Sequence, residues 1–418
     1  MLGTRITSGH DSRAASKPGV CALSHSAERT PVISLRKSVF LVATILAVQY
    51  GQAPSAVSSD SVSTLERTIA SLPRDASILE VPEGVYTIGS TWTISRSGVT
   101  IHGAGPGKTV LIRDPKFDGV LVRMNAEGST LSNLTVDGNG TRAVLFLNQG
   151  GITADTLEVK NFTHIGIAVP ARASGCRITN CIISGPSSQT TMAVWRDAGP
   201  SSTDVMLTID HNIIKNSGLY ATGGQITITN NQISGEPNPG GGQMDIGNAF
   251  TRNTVALISG NSILDGGTLR TGGIEMGGGS FTVTNNIIRN HGLGGIGVGH
   301  NVIRAKITGN VISNSGHDVT DRNRPQCRSA IYVGYGATNV EISGNRCFDD
   351  QPAKTQTYGV ILVPPPSRPD PRFPPKQMEH IVVKDNDLRG NLHPEGLLDE
   401  SGARDRLISA NVADRRNR

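Results

Sequence analysis

The sequence predicts an all-β solenoid, a short unit repeated and stacked along an axis, on three observations. First, the segments QITITNNQISG, VALISGNSILDGG, FTVTNNIIRNHG and AKITGNVISNSG, from Gln225 onward, share the pattern apolar-x-x-Asn-x-Ile. Second, a different phrase recurs between these copies: GGQMDIGN, GGIEMGGG, LGGIGVGH. Third, the 418 residues include 50 glycines, with 17% charged and 4% aromatic residues, a composition suited to many short strands joined by tight turns. A repeat of this size cannot bury its own apolar face, so the copies must stack, about 4.8 Å apart.

Taken in chain order, residues 1–53 read as a leader. Arg36 and Lys37 precede the apolar run Val39–Val48, which ends in GQAPSA. That is the layout of an export signal, and the run is well short of the roughly twenty residues a membrane span needs. The leader also skews the net charge of +5. It holds six basic residues against Asp11 and Glu28, so without it 33 basic face 32 acidic residues. No basic stripe for nucleic acid is present. Export to an extracellular or periplasmic space is the expected localisation. It agrees with four cysteines beyond the leader, for which Cys327–Cys347 and Cys176–Cys181 are candidate bridges and four buried thiols the alternative. No Cys/His cluster suggests zinc.

Residues 54–75 read as a cap helix, with Leu65, Ile69 and Leu72 at helical spacing and Pro73 closing it. From Ile78 the chain alternates apolar and polar residues with turns at PEG and GAGPG. GAGPGKT lacks the phosphate-loop spacing and leads into a strand, which argues against nucleotide binding. The repeat then aligns on Leu134, Leu157, Cys181, Asn212, Asn231, Asn261, Asn286, Asn310, Asn345, Asn386 and Asn411, with gaps of 23, 24, 31, 19, 30, 25, 24, 35, 41 and 25. Most gaps suit one turn of a three-stranded solenoid, and the longer ones contain insertions. The last eight positions place Asn in one register. That predicts a stack of inward amides at a bend, each bonding the next. Val363–Gln377 is proline-rich and reads as a surface loop. The solenoid domain should span 76–413, followed by a polar tail at 414–418.

These features resemble the right-handed parallel β-helix proteins of the pectate-lyase-like superfamily. VPEGVYTIGSTWTISRSGVTIHGAGPGKTVL and NLTVDGNG (Asn133–Gly140) look like the amino-terminal coils of that group, and the asparagine register looks like its ladder. The resemblance implies a single-domain parallel β-helix of about ten to twelve coils with a helical cap. It also implies a polysaccharide or oligosaccharide partner, bound in a groove on the sheet that carries the interposed phrase. It does not select among hydrolases, lyases, epimerases, fructosyl transferases and non-catalytic glycan binders. The polygalacturonase signature residues and an Arg-x-Pro-x-x-Arg motif are absent.

On that sheet MDIG, IEMG, IGVG, IYVG and VILV place Asp245, Glu275, Gly297, Tyr332 and Ile361 outward, between inward apolar residues. Gly247, Gly277, Gly299 and Gly334 form a second column, expected to be a flat strip open to a ligand. Two carboxylates on adjacent coils disfavour joint ionisation, which separates an acid role from a base role. Asp245 and Glu275 are therefore the candidate catalytic pair, with Tyr332 assisting. In a lyase the same pair would hold Ca²⁺, and otherwise no cofactor is expected. Candidate substrate contacts are His300, Tyr335, Arg270, Arg289, Arg328 and Trp195, the last as a sugar-stacking ring. The leading expectation is glycosidic cleavage of a polysaccharide, with hydrolysis ahead of elimination.

Overall fold

The computed structural model describes residues 77–414 except 187–190, 200–203, 236–241, 251, 268–270, 300, 319–327, 335 and 365–376, together with residues 56, 57, 65 and 67. The leader and most of the cap segment lie outside the described residues. Of the expected cap helix, Leu65 and Arg67 are helical, and Leu65 is buried.

The described strands form one continuous system of 33, and the strand pairings are parallel. Each coil supplies three strands, so three sheets run along the axis of a right-handed parallel β-helix. The first sheet includes Met206–Asp210, Gly224–Thr229, Thr254–Ser259, Gly279–Thr284 and Val302–Thr308. The second is short: Ile213–Lys215, Gln232–Ser234, Ser262–Leu264, Ile287–His291. The third includes Met192–Asp197, Gly218–Thr222, Gly242–Gly247, Gly272–Gly277, Ile296–Val298, Ile331–Val333 and Val360–Leu362.

Inward side chains stack like on like. Ile209, Ile228, Ile258, Val283 and Ile307 follow one another in register, each fully buried. Such a side chain contributes about 1.5–3 kcal/mol by leaving water. One inward position breaks the rule. Arg196, between Val194 and the outward Asp197, is fully buried, and its guanidinium nitrogens have no hydrogen-bond partner. Burial lowers its pKa to about 10, so it remains a cation at neutral pH.

The asparagine ladder closes the corner between the first and second sheets. From Asn212 through Asn231, Asn261, Asn286, Asn310, Asn345 and Asn386 to Asn411, each Nδ2 donates to the next Oδ1 at 2.8–2.9 Å. Each Oδ1 also accepts the preceding asparagine's backbone N–H, and each Nδ2 donates to a carbonyl inside the first sheet. The residue before each ladder position makes the bend: Asn180, His211, Asn230, Asn285, Asp385 and Ala410 have φ of 53–56°, and Gly260, Gly309 and Gly344 of 63–67°. Asn and Asp tolerate this left-handed conformation better than most L-residues. Cys181 takes the ladder position below Asn212 and donates its backbone N–H to Asn212 Oδ1.

The cysteine bridges are corrected. Cys176, Cys181 and Cys347 are free buried thiols. Burial pushes Cys176 up to about 11 and Cys181 up to about 12. Cys176 starts a first-sheet strand and Cys181 sits in the ladder corner, where its thiol donates to the Thr179 carbonyl at 3.1 Å. Cys327 lies outside the described residues, and Cys347 forms no bridge to it.

Candidate functional site

The third sheet carries the interposed phrases as expected, and register places their outward residues in one file. Trp195 pairs with Tyr220, Tyr220 with Asp245, Asp245 with Glu275, Glu275 with Gly297, Gly297 with Tyr332, and Tyr332 with Ile361. The flanking Met244, Ile246, Ile274, Met276, Ile296, Val298, Ile331 and Val333 are all buried in the solenoid, which fixes the middle residue outward. Asp245 and Glu275 are partly exposed on adjacent coils. Their backbones are therefore about 4.8 Å apart.

Tyr332 differs from the expectation of an open outward residue. It is only 4% exposed and packs on Ile361 and Val363. Its ring lies back over Gly297, where a Cβ would collide with the phenol Cζ and hydroxyl. The glycine is thus required at that position, and the tyrosine crosses a whole coil. Its hydroxyl ends 3.5 Å from Glu275 Oε1, at the outer limit of a hydrogen bond. Sequence order separates these groups widely, and the stacking reunites them.

The glycine column is also corrected. A Cβ on Gly247 would strike the Gly277 carbonyl, one on Gly277 would press on the Ala249 backbone, and one on Gly334 would strike Val363. Gly247, Gly299 and Gly334 are buried while Gly277 is partly exposed, so the strip is covered at three of its four levels and offers no continuous floor to a ligand.

Behind the carboxylates, the buried His291 braces the sheet. Its Nε2 bonds Gln243 Oε1 at 2.9 Å, and Gln243, two residues before Asp245, donates to the Leu264 carbonyl at 3.1 Å. Burial, with the His317 charge adding to it, lowers the His291 pKa to about 3 and keeps the ring neutral.

The remaining candidates separate. Trp195 is partly exposed on the file and stacks on Tyr220, with centroids 6.5 Å apart and 17° between planes. Arg328 donates to the carbonyls of Gly316 and Thr355, at 3.1 and 3.0 Å, and so ties two loops together. Arg289 is corrected: it lies on the second sheet and pairs with Asp350 at 3.1 Å, away from the carboxylates. Arg270, His300 and Tyr335 lie outside the described residues. Tyr220 was missed, although the alternation Leu219–Tyr220–Ala221, one coil before MDIG, carries the same signal. No group of three or more His, Cys, Asp or Glu side chains arranged for a metal ion occurs among the described residues.

The chain is a right-handed parallel β-helix protein. The family model for the right-handed β-helix region matches residues 198–363. Among solved structures it is similar to a PL6 alginate lyase complexed with a trisaccharide. The TM-score is 0.62 at 16% identity, covering 86% of this chain and 85% of that one. The alginate lyase AlyF-OU02 with G6 gives a TM-score of 0.59 at 16% identity, with the same coverage of 86% and 85%. The A-module of the mannuronan C-5 epimerase AlgE6 from Azotobacter vinelandii gives 0.56 at 15% identity, covering 88% and 98%. No curated protein sequence matches the chain.

Proposed function

We propose that this protein is a carbohydrate-active enzyme that hydrolyses glycosidic bonds of a polysaccharide lying along the outer face of the third sheet. The observation that carries this reading is the placement of Asp245 and Glu275 at the same outward position on adjacent coils, with the Tyr332 hydroxyl directed at Glu275. Glycoside cleavage uses two such groups, one to protonate the leaving oxygen and one to attack or to activate water. Backbones about 4.8 Å apart on adjacent coils bring two carboxyl groups within the range such cleavage uses. The Tyr332 hydroxyl, 3.5 Å from Glu275 Oε1, orients that carboxyl group, so this reading assigns Glu275 to attack and Asp245 to supply the proton. The neighbours held with a trisaccharide and with G6 support a glycan as the ligand.

Elimination from a uronate polymer is the competing reading. It is favoured by the phenol beside the carboxylates, which can take up or return a proton. In that case Ca²⁺ held by Asp245 and Glu275 would neutralise the uronate. The two side chains give part of the six to eight oxygens the ion takes, and substrate and water would give the rest. The same reading places the protein outside the cytoplasm after loss of residues 1–53, as N-terminal sequencing of the exported protein would show.

Digestion of a polysaccharide panel, with and without chelator, tests both readings. Hydrolysis yields new reducing ends without unsaturated uronate, whereas elimination yields one unsaturated end per cut. Full activity in both Asp245→Asn and Glu275→Gln would overturn the site.

A further inference from the structure

The file of outward residues does not stop at Trp195. Trp195 pairs with Ala168, Ala168 with Phe146, and Phe146 with Arg123. Ala168 points outward, yet it is fully buried and stands apart from the solenoid core. Its neighbours in the file, Phe146 and Trp195, are both partly exposed. The outer face is therefore lined by three rings, Phe146, Trp195 and Tyr220, all on the N-terminal side of Asp245. Arg123 comes next in the row, exposed, with its guanidinium 5.9 Å from the Phe146 centroid. Arg172 reaches the chain just after Phe146, its Nη2 donating to Asn148 Oδ1 at 2.7 Å. Among the described residues neither arginine has a carboxylate partner, so this end of the face carries uncompensated positive charge.

We propose that Phe146, Trp195 and Tyr220 form a binding platform, separate from the reacting groups, for the distal part of an anionic glycan, with Arg123 and Arg172 receiving its negative charge. Rings offer apolar surface to the C–H face of sugars at little entropic cost, and an exposed guanidinium over a ring is a pre-placed cation. From Asp245 to Arg123 is five coil spacings, about 24 Å, so the ligand is about five sugars long and lies parallel to the solenoid axis. This rests on the glycan reading above, but it concerns binding and does not require cleavage.

Fluorescence provides the test. Of the two tryptophans, Trp92 is fully buried in the core and Trp195 is partly exposed on the platform. Titration of the Glu275→Gln protein with uronate oligosaccharides of two, four and six units, and with neutral cello-oligosaccharides of the same lengths, should change Trp195 emission. The change should saturate at the lowest concentration for the uronate hexamer. Trp195→Phe should abolish the signal. Arg123→Ala and Phe146→Leu should weaken hexamer binding by about three- to tenfold, leaving the dimer unaltered.

Equal affinity for dimer and hexamer, equal affinity for neutral and uronate hexamers, unchanged hexamer binding in both variants, or no response at all would overturn the platform. Length-dependent binding by the Glu275→Gln protein, with no cleavage of any glycan in the panel by the parent protein, would instead overturn the hydrolase reading and leave the platform standing.

Discussion

The asparagine corner and the outer face of the third sheet belong to the same coils, yet one is nearly invariant and the other differs at every level. At the corner each amide has its own copies as partners. Asn286 accepts from Asn261 and donates to Asn310, so any other side chain would strand two neighbours. On the outer face a residue meets solvent, a ligand, or a side chain one or two coils away. Trp, Tyr, Asp, Glu, Gly and Tyr can therefore follow one another without disturbing the stack. Repetition at one edge holds the fold, which leaves the other face unconstrained.

Five experiments break or sharpen this contrast. The largest effect is on chemistry alone. Asp245→Asn and Glu275→Gln should each lower the cleavage rate by about a hundredfold or more, with an unchanged thermal melt by circular dichroism. Asn286→Leu should do the reverse. It takes the shared acceptor from the Asn261 backbone N–H and Nδ2, and the Nδ2 donor from Asn310 Oδ1 and the Ile258 carbonyl, costing about 3–4 kcal/mol in denaturant titration, while the rate per folded molecule holds. If that variant lost activity at full stability, the division of labour would fail.

Acid should act through the brace behind the face. Unfolded His291 protonates near its ordinary value of about 6.5, but the folded ring stays neutral to about 3. In that window the unfolded state binds the extra proton. Stability contributed by the neutral ring is present above pH 6.5 and is lost as pH falls toward 3, on the order of a few kcal/mol. Denaturant midpoints at pH 7 and 4.5 should differ more in the parent protein than in His291→Asn.

Arg196→Met should raise stability by about 1–3 kcal/mol, because an apolar side chain replaces a buried cation without partners. A fall in stability would show that the guanidinium is satisfied in solution. The smallest effect should come from Gly297→Ala. The added methyl lifts Tyr332 off its seat, costing about 1–2 kcal/mol and up to about tenfold in rate as the hydroxyl leaves Glu275.

The same contrast decides what could be read from the sequence. The ladder was legible from Asn212 to Asn411, because one residue type in one register records a local requirement at every level. The inward and outward alternation of MDIG, IEMG, IGVG and IYVG was legible for the same reason. The crossing of Tyr332 over Gly297 was not. It depends on the length of one side chain laid across two coils, and a long insertion separates the residues in sequence. The glycine column was taken for an open strip because nothing local reveals that the Ala249 backbone and Val363 cover it. Tyr220 and Phe146 escaped notice because no Gly-Gly precedes their strands as it does MDIG, IEMG and IGVG.

The reach of Tyr332 across a single coil makes the third sheet behave like a ruler with whole-coil divisions. Duplicating or deleting one repeat before Asp245 or after Val363 would lengthen or shorten the face and leave the meeting of Glu275 and Tyr332 intact. The same change between them would shift the hydroxyl by one full division and end the contact. The asparagine edge would tolerate either event, since each amide needs only another amide next to it. The face can therefore vary in length at its two ends, while the four levels from Asp245 to Tyr332 must be kept as a block.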